Sequence, residues 1–572
     1  MIEHVARWSK RKIECDRLPP VPRPVVFRWL IAACLVASLV QSCFFAQTLV
    51  PDIDETVHVF LGREAVTGHI SLFQDELPGF RAPLPYYFFG LSQLLFDRSI
   101  VAARVSSALV GTACLILLLL LATRIGGPLC GLLTLLFAIT QSTIIGFFAQ
   151  SSYHALTSLV LLAALYVIFC TTLRYKNVLG MALCSLFFFI RSLMMPLIPL
   201  VMVYLLVKAK SIGERLAIVA VTVVPPVVFF VSDPHHLKLM AYMPVLESFV
   251  RPLGYVRSPR ITAAASFDAS NTPAAALLLL VRWYKPWFAA GLVLIAITVV
   301  LALRGQSLKA FVSNGKVNLL AMVFLYIALA HLIAVRGSWT GSVGYEPSGI
   351  IAAIIPGFGF SLLITQFCSR AVYRRAVLLF LCALFLVAPT LSRPPALPLA
   401  VSLQDSPTRA LRNLANALDA LIPPRSRVFH LGASQALYVA DRPPYLRQAL
   451  GYLTLSPLPD QRVTQRSGLW GEAQITGWLT RDAQYAVIVP ESLDEYRISC
   501  RSCVELVESL LERHFVRIAV LRQYRGIEHV VYKRRAIETA ALWPHGESNQ
   551  VSVAVTSAGD RLAAGRTRPC AS

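Results

Sequence analysis

Charge is scarce in this chain of 572 residues. Only 15% of positions are Asp, Glu, Lys or Arg, where a soluble protein of this length carries about a quarter. Hydrophobic residues make up 56%, and the mean hydropathy is +0.62. That shortage excludes a soluble globular enzyme. Acid is scarcer than base, with 31 Asp and Glu against 53 Lys and Arg. The net charge of +22 does not gather in one basic domain, so it does not indicate a nucleic-acid partner. The chain also lacks a phosphate-binding glycine loop, a dinucleotide fingerprint and a metalloprotease helix. No internal repeat is visible, which counts against transporter folds built from paired halves.

What is present is a series of apolar runs close to the roughly 20 residues that cross a bilayer. They lie near 26–48, 101–122, 127–147, 154–172, 177–190, 194–207, 214–232, 286–303, 317–335, 347–367 and 376–393. The reading is about eleven transmembrane helices, with 177–207 open to being one kinked element. Basic residues fall at alternate ends: "RWSKRKIECDR" at 7–17, then Arg124, Arg174, Lys176, Lys208, Lys210, Arg304, Lys309, Arg370, Arg374 and Arg375. The positive-inside rule then places the N-terminus, 1–25, in the cytoplasm and the loop 50–100 outside. The first run is too long for a signal-peptide core and reads as a retained anchor.

An odd span count puts 396–572 outside as well. The composition shifts after the proline-rich "SRPPALPLA" at 392–400. Beyond it, "SPTRALRNLANALDALIPP" carries a helical period with Ser406 as candidate cap. "RVFHL", "YAVIVP" and "EHVVYK" have strand character, and "CVELVESLLERH" is helical. The expectation is an extracytoplasmic α/β domain over 396–540 and a disordered tail over 541–572. Most of the twelve cysteines sit in apolar runs as small hydrophobes. Cys500 and Cys503 in "SCRSC" lack the second pair of a structural zinc site and read as a local disulfide. His235 and His236, after "SDP", read as a polar loop pair, so no metal ligands are assigned.

The loop 50–100 is the informative stretch. "LVPDIDETVH" at 49–58 places Asp52, Asp54 and Glu55 directly after the first span. "VHVFLGREAVTGHI" reads as a short amphipathic helix, and "PGFRAPLPYYFFGLSQLLF" as an aromatic segment suited to the membrane interface. Acids, an arginine and interfacial aromatics together suit a site beside a lipid headgroup. From the residues alone the cluster is either a solvated cap at the membrane surface or the holder of a catalytic base, with Asp52 read as a solvated neighbour.

This loop resembles that of the GT-C glycosyltransferases, in particular the protein O-mannosyltransferase and lipid A aminoarabinose transferase branch (glycosyltransferase family 39-like). The resemblance rests on Asp54-Glu55, Gly68, Arg81 with Pro83, Pro85-Tyr86-Tyr87, and Ala102-Ala103-Arg104 through Gly111. Looser matches are "FFFIRSLMMPLIPLVMV", with Arg191 at a cationic position, and "RGSWTGSVGYEPSGIIAAIIPGFGFSLL", with Arg336 and Tyr345. Where many relatives carry a second acid this chain has His154.

The resemblance implies a GT-C-like transmembrane domain over 26–395. It also implies transfer of a sugar from a polyprenyl-phosphate donor to an extracytoplasmic lipid, glycan or protein at a bacterial inner membrane. Such transfer needs a base for the acceptor hydroxyl and cations for the departing phosphate. Asp54 is the expected base and Glu55 its helper. Arg81, Arg191, Arg336, Tyr345, Tyr86 and His154 are the expected contacts to donor phosphate or acceptor. No cofactor is assigned, and an assisting divalent metal stays an open alternative. The rival classes are a transporter or lipid flippase and a non-catalytic scaffold.

Overall fold

In the computed structural model the described residues are 24–256, 319, 321–322, 346–367 and 406–535. Positions 52, 74–76, 78–81, 97–99, 192–193, 196, 242–245, 459 and 524–525 are excepted. The expected spans 286–303 and 376–393 and nearly all of 317–335 lie outside them. So do the N-terminal segment 1–23, the linker 392–400 and the tail 541–572. The chain divides into two compact units. One is Met1–Thr408 with Asp460–Leu469, the other Arg409–Pro459 with Trp470–Ser572.

The first unit is helical. Among the described residues four helices are long and apolar enough to cross a membrane: Phe27–Thr48, Ile100–Ile139, Tyr153–Cys170 and Ile212–Ser232. The helix Ile212–Ser232 leaves Val223, Val224, Val227, Val228 and Val231 exposed. A stripe of bare valines suits hydrocarbon and not water.

The element Ile100–Ile139 is a hairpin of two helices. Gly127 has φ 83° and ψ 178°, a conformation essentially reserved for glycine, and Pro128 opens the second helix, where its missing N–H costs nothing. Twelve residues of straight helix would span about 18 Å. Yet a methyl group on Gly131 would lie 3.0 Å from the Leu119 carbonyl oxygen, so the chain has doubled back.

Two expected runs are interrupted, and the stretch left open between one element and two is divided. The run 127–147 breaks at Thr140 and Gln141 before a helix at Ser142–Ala149. The run 347–367 is interrupted at Ala353, between Glu346–Ala352 and Ile354–Phe367. The stretch 177–207 is broken at Arg191, between Phe187–Ile190 and Leu197–Lys208.

The second unit is built on a four-stranded sheet in the order β1-β2-β4-β3. The strands are β1 (Val428–Leu431), β2 (Tyr485–Ile488), β3 (Phe515–Arg522) and β4 (Glu528–Arg534). β1 and β2 are parallel, whereas β4 is antiparallel to β2 and to β3. Strand β3 falls outside the three stretches given strand character above. It is a hairpin partner of β4, irregular at Arg517–Ala519, turning at Gly526 with φ 81°.

Alternation along the strands divides the core into two. Val428, Tyr485 and Val487 point to one face, with Leu411, Leu414 and Leu418 of the helix Pro407–Leu421. Phe429, Leu431, Ala486 and Ile488 point to the other, with Val504, Val507 and Leu511 of the helix Arg501–His514. This is the period-two geometry of a sheet buried on both sides. Cys500 and Cys503 are disulfide-bonded at the start of that second helix, where the Cys500 sulfur also accepts the Cys503 N–H at 3.3 Å.

Candidate functional site

Asp54 and Glu55 do not precede a surface helix; they are part of one whose next turn is buried. Helix begins at Ile53, passes through a π-helical turn at Val57–Leu61 and ends at Val66. The amphipathic helix expected to start at Val57 thus starts four residues earlier, and Val57–Leu61 are buried. Single π-turns inside helices recur at functional sites because they re-aim side chains.

Two glycines fix where this helix lies. A methyl group on Gly62 would collide with the Tyr86 carbonyl, and one on Gly90 would lie 2.8 Å from the Arg63 amide nitrogen. Backbone therefore meets backbone between Gly62–Val66 and the helix Pro83–Phe96. That approach sets His58 edge-on to Tyr86, ring centroids 5.1 Å apart, and brings Phe89 to 6.4 Å. On Pro83–Phe96 the buried residues include Tyr86, Phe89, Ser92 and Gln93, while Tyr87, Leu91, Leu94 and Leu95 are exposed.

Asp54 and Glu55 have different surroundings. Glu55 and Arg104 are wholly buried. Glu55 Oε1 accepts from Arg104 Nε at 2.8 Å, from the Ser151 backbone N–H at 2.7 Å and from the Ser151 hydroxyl at 3.0 Å. Its Oε2 accepts from Arg104 Nη2 at 2.5 Å. Arg104 Nη1 donates in turn to the carbonyls of Ala46 and Leu49. The pair thus ties the end of the first helix, the acidic turn, the AAR segment and Ser151 together. Asp54 is half-buried.

Tyr153 joins the acidic turn to Arg191. The His58 ring meets the Tyr153 ring edge-on at 5.8 Å, and the Arg191 guanidinium carbon lies 4.4 Å from the centre of the Tyr153 ring. Arg191 is only 6% exposed and ends the short helix Phe187–Ile190 in an extended conformation. His154 is buried against Tyr153 at 4.5 Å and Phe147 at 4.7 Å. Glu55, Tyr86, His154 and Arg191, scattered over 137 positions of sequence, are thereby linked through the contacts of His58, Ser151 and Tyr153, and Asp54 stands beside Glu55 on the same turn.

Asp52, Arg81, Arg336 and Tyr345 lie outside the described residues. The loop leading to Arg81 is nevertheless anchored. Buried Phe73, at φ 75°, lies edge-on to Phe229 and His236, and His236 stacks flat on Phe229 at 3.9 Å. Buried Lys238 donates to the Leu77 carbonyl at 3.1 Å. His235 accompanies Asp233, whose carboxylate accepts the His235 N–H. That bond holds the Asp233 carboxyl below its usual range.

The sequence reading missed His58, Ser151, Tyr153 and Lys238. His58 had a signal, four residues after Asp54 and so on the same helix face. The others had none until the helices were assembled.

No protein-family model matches this chain, and no curated protein matches it by sequence. Solved structures do. ArnT from Cupriavidus metallidurans bound to undecaprenyl phosphate aligns with a TM-score of 0.56 and 14% identity, covering 91% of this chain and 100% of that one. The apo state of the same protein gives 0.52 and 14%, with coverages of 89% and 97%. At such identities the likeness establishes the fold. The chain has the GT-C fold that its first loop resembled.

Proposed function

We propose that this chain, built on the GT-C fold, is a membrane glycosyltransferase that moves a sugar from a polyprenyl-phosphate donor to an extracytoplasmic acceptor. The observation that carries the reading is the junction at Tyr153, where the buried Arg191 guanidinium meets the helix that bears Asp54, through the ring of His58 one turn further on. Polyprenyl phosphate is a good leaving group, so the reaction asks for a base at the acceptor and cations at the phosphate, and for little acid help.

Asp54 is the base. Glu55 is a positioning residue: its oxygens are occupied by Arg104 and Ser151, which locks the turn on which Asp54 stands. Arg191, whose guanidinium lies over the Tyr153 ring, pairs with phosphate oxygens through its N–H groups, a partner guanidinium favours. Arg81, Arg336 and Tyr345 are further contacts to donor or acceptor. Tyr86 and His154 wall the acceptor side. In this reading, which rests on the alternation of Lys and Arg between the apolar runs, the N-terminus is cytoplasmic and the site and the sheet-bearing unit are extracytoplasmic, with a lipid, glycan or protein as acceptor.

Mass spectrometry of membrane lipids, glycans and exported proteins, with and without the gene, should reveal one class that differs by a single sugar. Asp54→Asn keeps the shape and removes the charge, so it should cut that transfer by about 10²–10⁴-fold while the protein still inserts. Near-native transfer by Asp54→Asn would sink the base assignment.

A further inference from the structure

The helix Tyr153–Cys170 starts without the usual closure. Its N-cap residue is Ser152, in extended conformation, and no side-chain cap bond is made to the first turn. Ser152 is 1% exposed, and its hydroxyl has no hydrogen-bond partner among the described residues. Leaving a hydroxyl buried and unbonded costs about 1–3 kcal/mol. An N-cap serine ordinarily avoids that by accepting a first-turn N–H. Here an uncommitted hydroxyl stands at the positive end of an 18-residue helix.

The neighbours suit an anion. Tyr153, the first residue of the helix, lies under the Arg191 guanidinium. Two acids stand on the Ile53–Thr56 turn, which reaches this place through Glu55. Glu55 bonds the Ser151 N–H, but its charge is matched by the bidentate Arg104 pair. Asp54 is its neighbour on the same turn. The helix dipole and Arg191 supply positive potential at the helix end.

We infer that the amino end of the Tyr153–Cys170 helix, with the Ser152 hydroxyl and Arg191, seats a phosphate group. The seat rests on the function proposed above, in which it holds the donor phosphate and keeps it there as charge develops on departure. Backbone N–H groups at a helix start, a hydroxyl donor and one guanidinium form a recurrent phosphate cradle. The Ser152 hydroxyl donates to a phosphate oxygen, which satisfies the group that the protein alone leaves unbonded.

The test uses the full chain in detergent, titrated calorimetrically with farnesyl phosphate, farnesol and inorganic phosphate. Farnesyl phosphate should bind far more tightly than farnesol. Ser152→Asp should weaken that binding by at least about tenfold, since a carboxylate takes the anion's place and repels it. Asp is also a good N-cap, and capping the first-turn N–H groups offsets the burial of its charge, so thermal unfolding should change little while binding falls, a combination that a merely structural role would not give. Ser152→Ala removes the donor without leaving a partner stranded, and should weaken binding by about two- to tenfold.

Binding of farnesyl phosphate alone assigns the seat to a lipid headgroup. Binding of inorganic phosphate too, with the same sensitivity to Ser152→Asp, assigns it to phosphate from any source. Equal binding of farnesol and farnesyl phosphate, or titrations indifferent to both variants, would overturn the proposal. Asp54→Asn separates this from the reading it rests on. It should bind farnesyl phosphate like the native chain while failing to transfer. A chain that transfers without Asp54 but loses phosphate binding on Ser152→Asp would keep the seat and discard the base.

Discussion

Each of the two units holds a carboxylate–guanidinium pair at 2.5 Å, and the two pairs have little else in common. Glu55 and Arg104 are both wholly buried. In the other pair Arg442 is 6% exposed but Asp419 is 59% exposed. Arg442 is also held by the carbonyls of Ile422, Ala440 and Asp441, so its carboxylate partner is one support among several. Equal distances therefore conceal unequal stakes. A buried ion loses its hydration and depends on its partner, whereas an exposed carboxylate exchanges protein for water at almost no cost.

The largest effect expected from this contrast is at Glu55. Glu55→Ala strands the Arg104 charge and should destabilise the protein by about 3–5 kcal/mol, seen as a large drop in the unfolding temperature in detergent. Joining it to Arg104→Met should recover much of the loss, because no unpaired ion is then left. A double variant as unstable as the single one would mean that the pair is not the source of the loss.

Burial that outweighs any nearby acid provides the next step down. Burial pushes His430 and His529 in the second unit down to about 4, so both are neutral in the fold. An unfolded histidine titrates near 6.5, so the stability from keeping each neutral is full above that pH. It is lost as pH falls from about 6.5 to about 4, up to roughly 3 kcal/mol per residue. Amide-exchange protection in β1 and β4, corrected for intrinsic rates, should accordingly fall between pH 7 and pH 5. Protection that held constant would place protonated histidines in the native sheet.

Gly90→Ala probes the first unit by shape alone. The added methyl meets the backbone at Gly62 and Arg63, which should cost about 1–3 kcal/mol and displace His58 from Tyr86. A fall in transfer larger than the fall in folded protein is the expected readout. The smallest effect belongs to Asp419→Asn, at most about 1 kcal/mol, within the scatter of a chemical unfolding curve. A loss comparable with that of Glu55→Ala would erase the distinction between the two pairs.

Much of the fold was legible because its causes are local. Gly127-Pro128 ends one helix and opens another through backbone constraints carried by those two residues. The strand patterns at 428–431, 485–488 and 528–534 follow from alternation within each segment. β3 was harder to read: Val516 and Arg517 are both exposed, so its start does not alternate, and it follows a helix without a break at Phe515. Asp54 and Glu55 stood out together as acids at the end of an apolar run, yet adjacent letters carry no information about which one is buried.

Sequence by itself determined the segments: apolar runs of bilayer length, the acidic turn after the first of them, the cysteine pair close enough to bridge, and the amphipathic helices flanking the sheet. Each follows from interactions among residues a few positions apart, where side-chain period and backbone preference decide. Tertiary structure alone decided which charges meet. Glu55 found Arg104 at 49 positions' distance and Ser151 at 96, and Arg191 settled on Tyr153. Those choices depend on the close Gly62–Gly90 crossing and on the desolvation that follows assembly. Only when water has been removed does a carboxylate need one particular arginine, and that requirement is a property of the packed bundle.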